Sequence, residues 1–321
     1  MAIGRPLKSV VLKNWVNQLP PKSQLPWAGI VSVLYWSWFG VVVGLRPEHA
    51  AMFFFLIFLY FAHIQTRQFL FAFAVFLFYA IIYDSLRAFP NYLFSTVHTQ
   101  DLYHADKALF GIYNGAQKLS LNEYALLHNT PVLDVLSGLF YINWVPVPLL
   151  FAFYLFLYHK SLCLKFLYAF VFTNLMGIII YYVFPAAPPW YVEMHGFQLL
   201  VNTPANAAGL LNFDAITGTR VFESIYSKGP VPFAAMPSLH AAFPVLCYLY
   251  GRQLKKSWLN IAFLIFIAGI WFSAVYSRHH YAIDVLAGGL VAVTAYKIFE
   301  QLAQTKPMQA WFAKLLPLIG G

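Results

Sequence analysis

Charge is almost missing from long stretches of this 321-residue chain, and that scarcity constrains the fold more than any motif does. Only 10% of the residues are Asp, Glu, Lys or Arg, while 61% are hydrophobic and 19% aromatic. Soluble domains carry about 25% charged residues, so this chain cannot cover a water-exposed surface. The apolar residues gather into about eight runs, near 27–45, 50–64, 69–88, 135–158, 163–184, 237–252, 258–277 and 281–301. A backbone in hydrocarbon must satisfy its own hydrogen bonds, and runs of this length do so as helices. The expected fold is all-α: a polytopic transmembrane helical bundle of about eight spans. The second and sixth runs are short for a full crossing, which implies thinning of the bilayer or a partly re-entrant path. Pro146 and Pro148 are expected to bend the fourth run.

The remaining charge is distributed unevenly. With the N-terminus inside, the inner segments hold or adjoin Arg5, Lys8, Lys13, Lys22, Arg67, Lys160, Lys165, Arg252, Lys255, Lys256, Lys306 and Lys314. The far longer outer segments hold Arg46, Arg87, Lys107, Lys118, Arg220, Lys228 and Arg278. This is the positive-inside pattern, and an even number of spans leaves both termini cytoplasmic. It accounts for the net charge of +9 without a nucleic-acid partner. Residues 1–26 have no apolar core with a cleavage site and read as a cytoplasmic interfacial segment. Residues 27–302 form the membrane domain, and 303–321 a cytoplasmic tail. Cys163 and Cys247 both lie in apolar runs, so no disulfide framework is implied.

Two outer segments are long. Residues 89–134 carry the turn signals Pro90, Asn114-Gly115 and Asn129-Thr130-Pro131, with 119–127 suited to a surface helix. Residues 185–236 open with Pro185-Ala186-Ala187-Pro188-Pro189-Trp190-Tyr191, a proline stop followed by aromatics that suit the membrane boundary. Next to these outer segments lie the residues with chemistry. His240 follows Met236-Pro237-Ser238-Leu239 at the outer end of the sixth run. His280 and Asp284 sit at the outer start of the eighth, four residues apart and on one helical face. Tyr83, Asp84 and Arg87 end the third. Ionisable groups at span edges tend to line functional cavities.

A neutral imidazole can attack phosphorus. Asp284 can accept a hydrogen bond from the far ring nitrogen of His280, fixing its tautomer and stabilising the imidazolium. His240 can protonate the leaving oxygen and later deprotonate the acceptor. Arg87 can hold phosphate oxygens through paired donors. No metal or other cofactor is required. Each residue also has a plainer reading: Arg87 as a membrane-edge anchor paired with Asp84 at i, i+3, and His240 as an interfacial histidine bonded to a carbonyl. His279, about 100° from His280 on a helix, reads as a bystander.

At these residues the chain resembles the type-2 phosphatidic acid phosphatase superfamily of membrane phosphotransferases. It is most similar to the branch containing fungal inositol phosphorylceramide synthase, and less so to the sphingomyelin synthases. Pro237-Ser238-Leu239-His240 matches the Pro-Ser-x-His motif, with Leu where simple phosphatases usually have Gly. His280-Tyr281-Ala282-Ile283-Asp284 matches the His-Tyr-x-x-Asp form of the sphingolipid branch, and Phe184 to Tyr191 followed by Gly196 resembles its Pro-Pro-Trp-Tyr segment. Tyr83-Asp84-x-x-Arg87 resembles a degenerate first motif. The resemblance covers about residues 80–300. It implies a six-helix catalytic core within the eight spans, an outward-facing site and a phosphohistidine intermediate. In that scheme His280 is the nucleophile, Asp284 its orienting carboxylate and His240 the acid–base partner. Ser238, Tyr83, Arg87, Trp190, Tyr191 and Arg278 are candidate substrate-binding residues. The chain departs from the family pattern at Ala80 and Ala88, where the first motif has Lys and Pro, and Arg278 stands one residue from His280 instead of five. Arg220, Lys228 and Arg278 are three candidates for the missing positive charge.

The function this implies is transfer of a phosphoinositol-type head group from a phospholipid, such as phosphatidylinositol, to ceramide or a similar lipid alcohol. Two alternatives use the same residues. One is a lipid phosphate phosphatase or phospholipase with water as acceptor. The other is a transporter or structural membrane protein whose His and Asp only pack or carry protons. Without a cleavable signal or a retention motif the chain suits a bacterial inner membrane or an endomembrane, and its compact length and short tails favour the bacterial one.

Overall fold

The computed structural model describes residues 19–201, 203–227, 229 and 233–321. The expected interfacial segment therefore falls mostly outside the described residues, and so does Lys228. All eight apolar runs are helical. Those near the N-terminus form α1 (Leu25–Trp38), α2 (Pro47–Ala62) and α3 (Ile64–Ser85). The first outer segment folds as α4 (Asp101–Phe110), a hairpin of β1 (Ile112–Asn114) and β2 (Gln117–Leu119), and α5 (Leu121–Leu127). Next come α6 (Pro131–Tyr141), α7 (Pro146–Tyr158) and α8 (Lys160–Val183). The second outer segment holds α9 (Pro189–His195), α10 (Leu210–Thr217) and α11 (Val221–Tyr226). The chain finishes with α12 (Leu239–Gly251), α13 (Ser257–Tyr276), α14 (Ala282–Ala303) and α15 (Lys306–Leu318).

Five of these segments are long and apolar enough to cross a membrane: Lys22–Val43, Ile64–Ala88, Lys160–Val183, Ser257–Tyr276 and Ala282–Ala303. A sixth crossing results if Pro131–Trp144 and Pro146–Tyr158 are one span, bent by 43°. The bend falls where Pro146 opens α7, since proline at N1 needs no N–H partner but cannot continue the preceding helix. The two short runs remain short: α2 has 16 residues and α12 has 13. A continuous apolar core joins α3, α7, α8, α12, α13, α14 and α15, with α12 at its centre. Leu246, Cys247 and Tyr250 of α12 are fully enclosed there, as are Leu155 of α7 and Ala292 of α14. Residues after α14 do not trail away. Phe312 and Ile319 of the last segment are buried, and the Ile319 carbonyl accepts a hydrogen bond from Lys160 Nζ at 2.7 Å.

Both long outer segments fold over the same end of the bundle. Residues 98, 186 and 234 bridge in parallel, and Asn91 Nδ2 donates to the carbonyls of Tyr181 and Phe233. Within the second segment, Asp214 accepts from the backbone N–H groups of residues 221, 222 and 223, which caps α11. The result is a fixed cover of short helices over the bundle end that carries His240 and His280.

Candidate active site

The two histidine motifs are joined through their backbones before any side chain meets. Ser238 caps α12, its Oγ accepting from Ala241 N at 3.2 Å, and its own N–H donates to the carbonyl of Asp284 at 2.9 Å. Helix α14 approaches closely enough that a Cβ on Gly288 would lie 2.0 Å from the Ser238 carbonyl oxygen. This joint brings His240 Nδ1 to 3.1 Å from His280 Nε2.

His280 is 4% exposed, and its other nitrogen points at protein oxygen. Nδ1 lies 2.9 Å from the carbonyl of Ala235 and 3.7 Å from Asp284 Oδ2. The backbone carbonyl is the nearer acceptor, so it fixes the proton on Nδ1 and leaves a lone pair on Nε2, facing His240. Asp284 is fully buried. Its Oδ2 accepts from Tyr281 N at 2.8 Å. The expectation of one continuous helical face is corrected here. Tyr281 is the N-cap of α14, with extended backbone angles, and Asp284 is N3. The carboxylate nears His280 because an N3 side chain folds back over the helix start.

Two residues from the first outer segment, not anticipated from the sequence, reach into this turn. Asn122 Nδ2 donates to the carbonyls of Val275 and His280 at 2.8 and 3.0 Å. Asp106, fully buried, accepts from Ile283 N at 3.0 Å. Burial, with a smaller contribution from the nearby Asp284 charge, pushes its carboxyl up to about 6.

The histidine pair lies on the wall of a cavity of about 240 Å³. Its lining is mostly apolar and includes Phe76, Phe170, Phe243 and Trp190, with Tyr83 and Tyr181 among the tyrosines. Trp144 meets His240 edge-on at 4.4 Å, and Tyr141 stacks on it at 5.0 Å. Among the described lining residues there is no Lys or Arg. Arg87 lines a neighbouring cavity with Arg46, His49 and Asp84, sharing only Ala80 with the first. There Asp84 pairs with Arg46, with His49 at 3.1 Å and with Arg87 at 3.7 Å. Arg278 pairs with Glu193 at 2.7 Å along an outer cleft, and Arg220 is exposed and pairs with Glu223. Tyr191 is buried, and its hydroxyl bonds Gln198 O and Leu200 N instead of facing the cavity. Of the nine residues singled out, then, His240, His280, Tyr83 and Trp190 line one cavity. Asp284 and Ser238 support it, while Arg87, Tyr191 and Arg278 lie elsewhere.

Among the described residues, no group of three or more His, Cys, Asp or Glu could hold a metal ion.

Comparison with known families decides the wider identity. The family model of the PAP2 superfamily matches residues 100–298, more than half of the chain. The chain belongs to the PAP2 superfamily. It is similar to a phosphoinositol dihydroceramide synthase of Bacteroides thetaiotaomicron, 40% identical over 284 residues that cover 88% of this chain and 93% of that protein. It is also similar to inositol phosphorylceramide synthase of Candida albicans, 31% identical over 198 residues, 58% of this chain and 40% of that one. The catalytic subunit of the Schizosaccharomyces pombe enzyme is 27% identical over 246 residues, 74% of this chain and 55% of its own length. No solved structure matches the chain. This PAP2-superfamily member is a phosphotransferase and an integral multi-pass membrane protein. The PAP2 match begins at residue 100, just before α4, so it takes in Asp106 and Asn122 along with both histidine motifs.

Proposed function

We propose that the chain transfers phosphoinositol from a phospholipid such as phosphatidylinositol to ceramide or a closely related lipid alcohol. The observation that carries the chemistry is the 3.1 Å contact between His240 Nδ1 and His280 Nε2 on the wall of an apolar cavity. The head group and acceptor are supported by the names of the bacterial and fungal relatives, a phosphoinositol dihydroceramide synthase and an inositol phosphorylceramide synthase.

In this reading Nε2 of His280 attacks phosphorus and the P–O bond to diacylglycerol breaks. His240, protonated as the phosphate anion of the donor enters beside it, gives that proton to the departing diacylglycerol oxygen, and a phosphoinositol-histidine remains. The primary hydroxyl of ceramide then attacks phosphorus, His240 takes its proton, and the P–N bond breaks to regenerate His280. Asp284, 3.7 Å from Nδ1, offsets the positive charge on His280 while the bond to phosphorus exists. A phosphorus atom cannot fit between nitrogens 3.1 Å apart, so the donor parts the two rings when it enters.

We further propose that the site faces the outer side of a bacterial inner membrane with both termini cytoplasmic. Support comes from Lys160, Arg252, Lys255 and Lys256, which cluster at the helix ends opposite the histidines. The test is purified protein with phosphatidylinositol and labelled ceramide. The reading expects labelled phosphoinositol ceramide with matching diacylglycerol; release of head group to water, unchanged by ceramide, overturns it in favour of a hydrolase.

A further inference from the structure

The reactive pair occupies one part of the cavity. Another part of the lining presents a different kind of chemistry: Asn206 and Tyr226 from the cover, and His279 from the turn before α14, none of them charged at neutral pH. His279, read from sequence as a bystander, is held with care. It is 4% exposed, stacked on Tyr226 at 4.4 Å and on Tyr141 at 5.4 Å. Its Nε2 lies 2.9 Å from the carbonyl of Ala207, which can only accept, so the proton sits on Nε2 and Nδ1 carries a lone pair. Burial, and then the neighbouring His280, pushes its pKa down to about 3, so the ring remains a neutral acceptor at working pH. Asn206 has spent its carbonyl oxygen on Ala208 N at 2.6 Å, leaving its NH₂ as donor. The Tyr226 hydroxyl is buried beside the Tyr141 hydroxyl, and the two can rearrange to give or take a further hydrogen bond.

We propose that His279, Tyr226 and Asn206 form the subsite that reads the hydroxyls of an uncharged polyol head group. This rests on, and deepens, the proposal that the transferred group is phosphoinositol. A phosphate needs charge and donors; a lone-pair nitrogen repels it. An ammonium head group offers only donors and would leave Asn206 unmatched. A ring of hydroxyls, each both donor and acceptor, matches an acceptor, a donor and a hydroxyl on the wall of one cavity. Asn206 and Tyr226 come from the second long segment and His279 from the turn before α14, and backbone hydrogen bonds tie that segment to that turn. Gly209 N donates to the Ser277 carbonyl at 3.0 Å, beside the Ala207–His279 bond.

The test separates binding from turnover. Purified full-length protein in nanodiscs is titrated calorimetrically with inositol 1-phosphate and with glycerol 3-phosphate. The same preparations are assayed with phosphatidylinositol and with phosphatidylglycerol as donors. The wild type should prefer inositol 1-phosphate. Tyr226→Phe keeps the ring stack and removes only the hydroxyl; it should weaken inositol 1-phosphate binding about tenfold, raise KM for phosphatidylinositol similarly and leave glycerol 3-phosphate binding within about twofold. His279→Ala should do the same and relax donor choice. Equal binding of the two phosphates by the wild type overturns the proposal, as does a loss in Tyr226→Phe shared equally by both ligands, or one confined to kcat. Selective binding that both variants lose, in a protein that moves no phosphoinositol to ceramide, would sustain the subsite while the transfer reading failed.

Discussion

Substituting Gly288 by alanine sets two physical effects against each other. On helix propensity alone, Gly→Ala inside α14 should stabilise by up to about 1 kcal/mol. The packing predicts the reverse. The new Cβ would lie 2.0 Å from the Ser238 carbonyl oxygen and 2.9 Å from its carbon, both backbone atoms with no rotamer to yield. Relieving that clash moves α12 from α14 by roughly 1 Å, at an overpacking cost of about 1–3 kcal/mol. The shift also strains the Ser238 N to Asp284 O hydrogen bond, 2.9 Å in the native joint and worth about 1 kcal/mol. Because that joint sets the distance between His240 and His280, a displacement of about 1 Å should lower kcat about 100-fold. The assay is thermal unfolding of the detergent-solubilised protein together with head-group transfer at saturating donor. Gly289→Ala meets only the side chain of Trp271, at 2.8 Å, and should cost less; Gly29→Ala meets nothing within 4 Å and should be silent. A Gly288→Ala protein as stable as wild type, with kcat within threefold, would refute the reasoning.

Other outcomes follow from the same geometry. Asp284→Asn keeps the shape and an oxygen for Tyr281 N–H but removes the charge balancing His280, so kcat should fall about 10²–10³-fold in a folded protein; single-turnover kinetics checks it. Asn122→Ala strips a partner from two carbonyls, Val275 and His280, and should lower stability by about 1–3 kcal/mol and kcat with it, read by unfolding and transfer rate. The pH dependence of stability has two opposed contributions. Folded His279 has its pKa pushed down to about 3 from 6.5, so its contribution is complete above about pH 6.5 and is lost as pH falls toward 3; His279→Gln should flatten that acid limb. Folded Asp106 is raised to about 6 from 3.8, so it favours the folded state on the acid side and loses that advantage as pH rises through 6; Asp106→Asn should be relatively more stable above pH 6. Melting temperature against pH for both variants separates the two.

Much of the architecture was legible because it depends on period and composition. Each apolar run is a helix, and Pro146 sits at the 43° bend. Pro237-Ser238-Leu239-His240 and His280-Tyr281-Ala282-Ile283-Asp284 pointed to a shared site because alternating spans place both motifs at the same end of the bundle. What escaped was whatever depends on backbone geometry or on long-range partners. The acceptor that fixes His280 is the Ala235 carbonyl, and a carbonyl has no signature in a sequence. Asp106 and Asn122 stand in short polar helices whose pattern gives no hint that they reach residues more than 150 positions away. The 100° offset between His279 and His280 assumed a helix running back through both residues. The helix starts at Ala282, and Arg278 takes a left-handed φ of 64°, which turns the following residues inward. The charge of Arg278 gave no warning that Glu193 would take it up.

The central claim is that His280 carries the head group between two lipids, and a trapping experiment tests it most directly. Purified protein is mixed with phosphatidylinositol labelled in the inositol ring, without acceptor, then quenched in alkali and digested. The account predicts a burst of diacylglycerol approaching one per active site, with label bound through phosphorus to the peptide holding His280. Ceramide added before the quench should discharge the label, and His280→Ala should never acquire it. Steady transfer to ceramide by His280→Ala, or wild-type turnover without a diacylglycerol burst or any labelled peptide, would contradict the account.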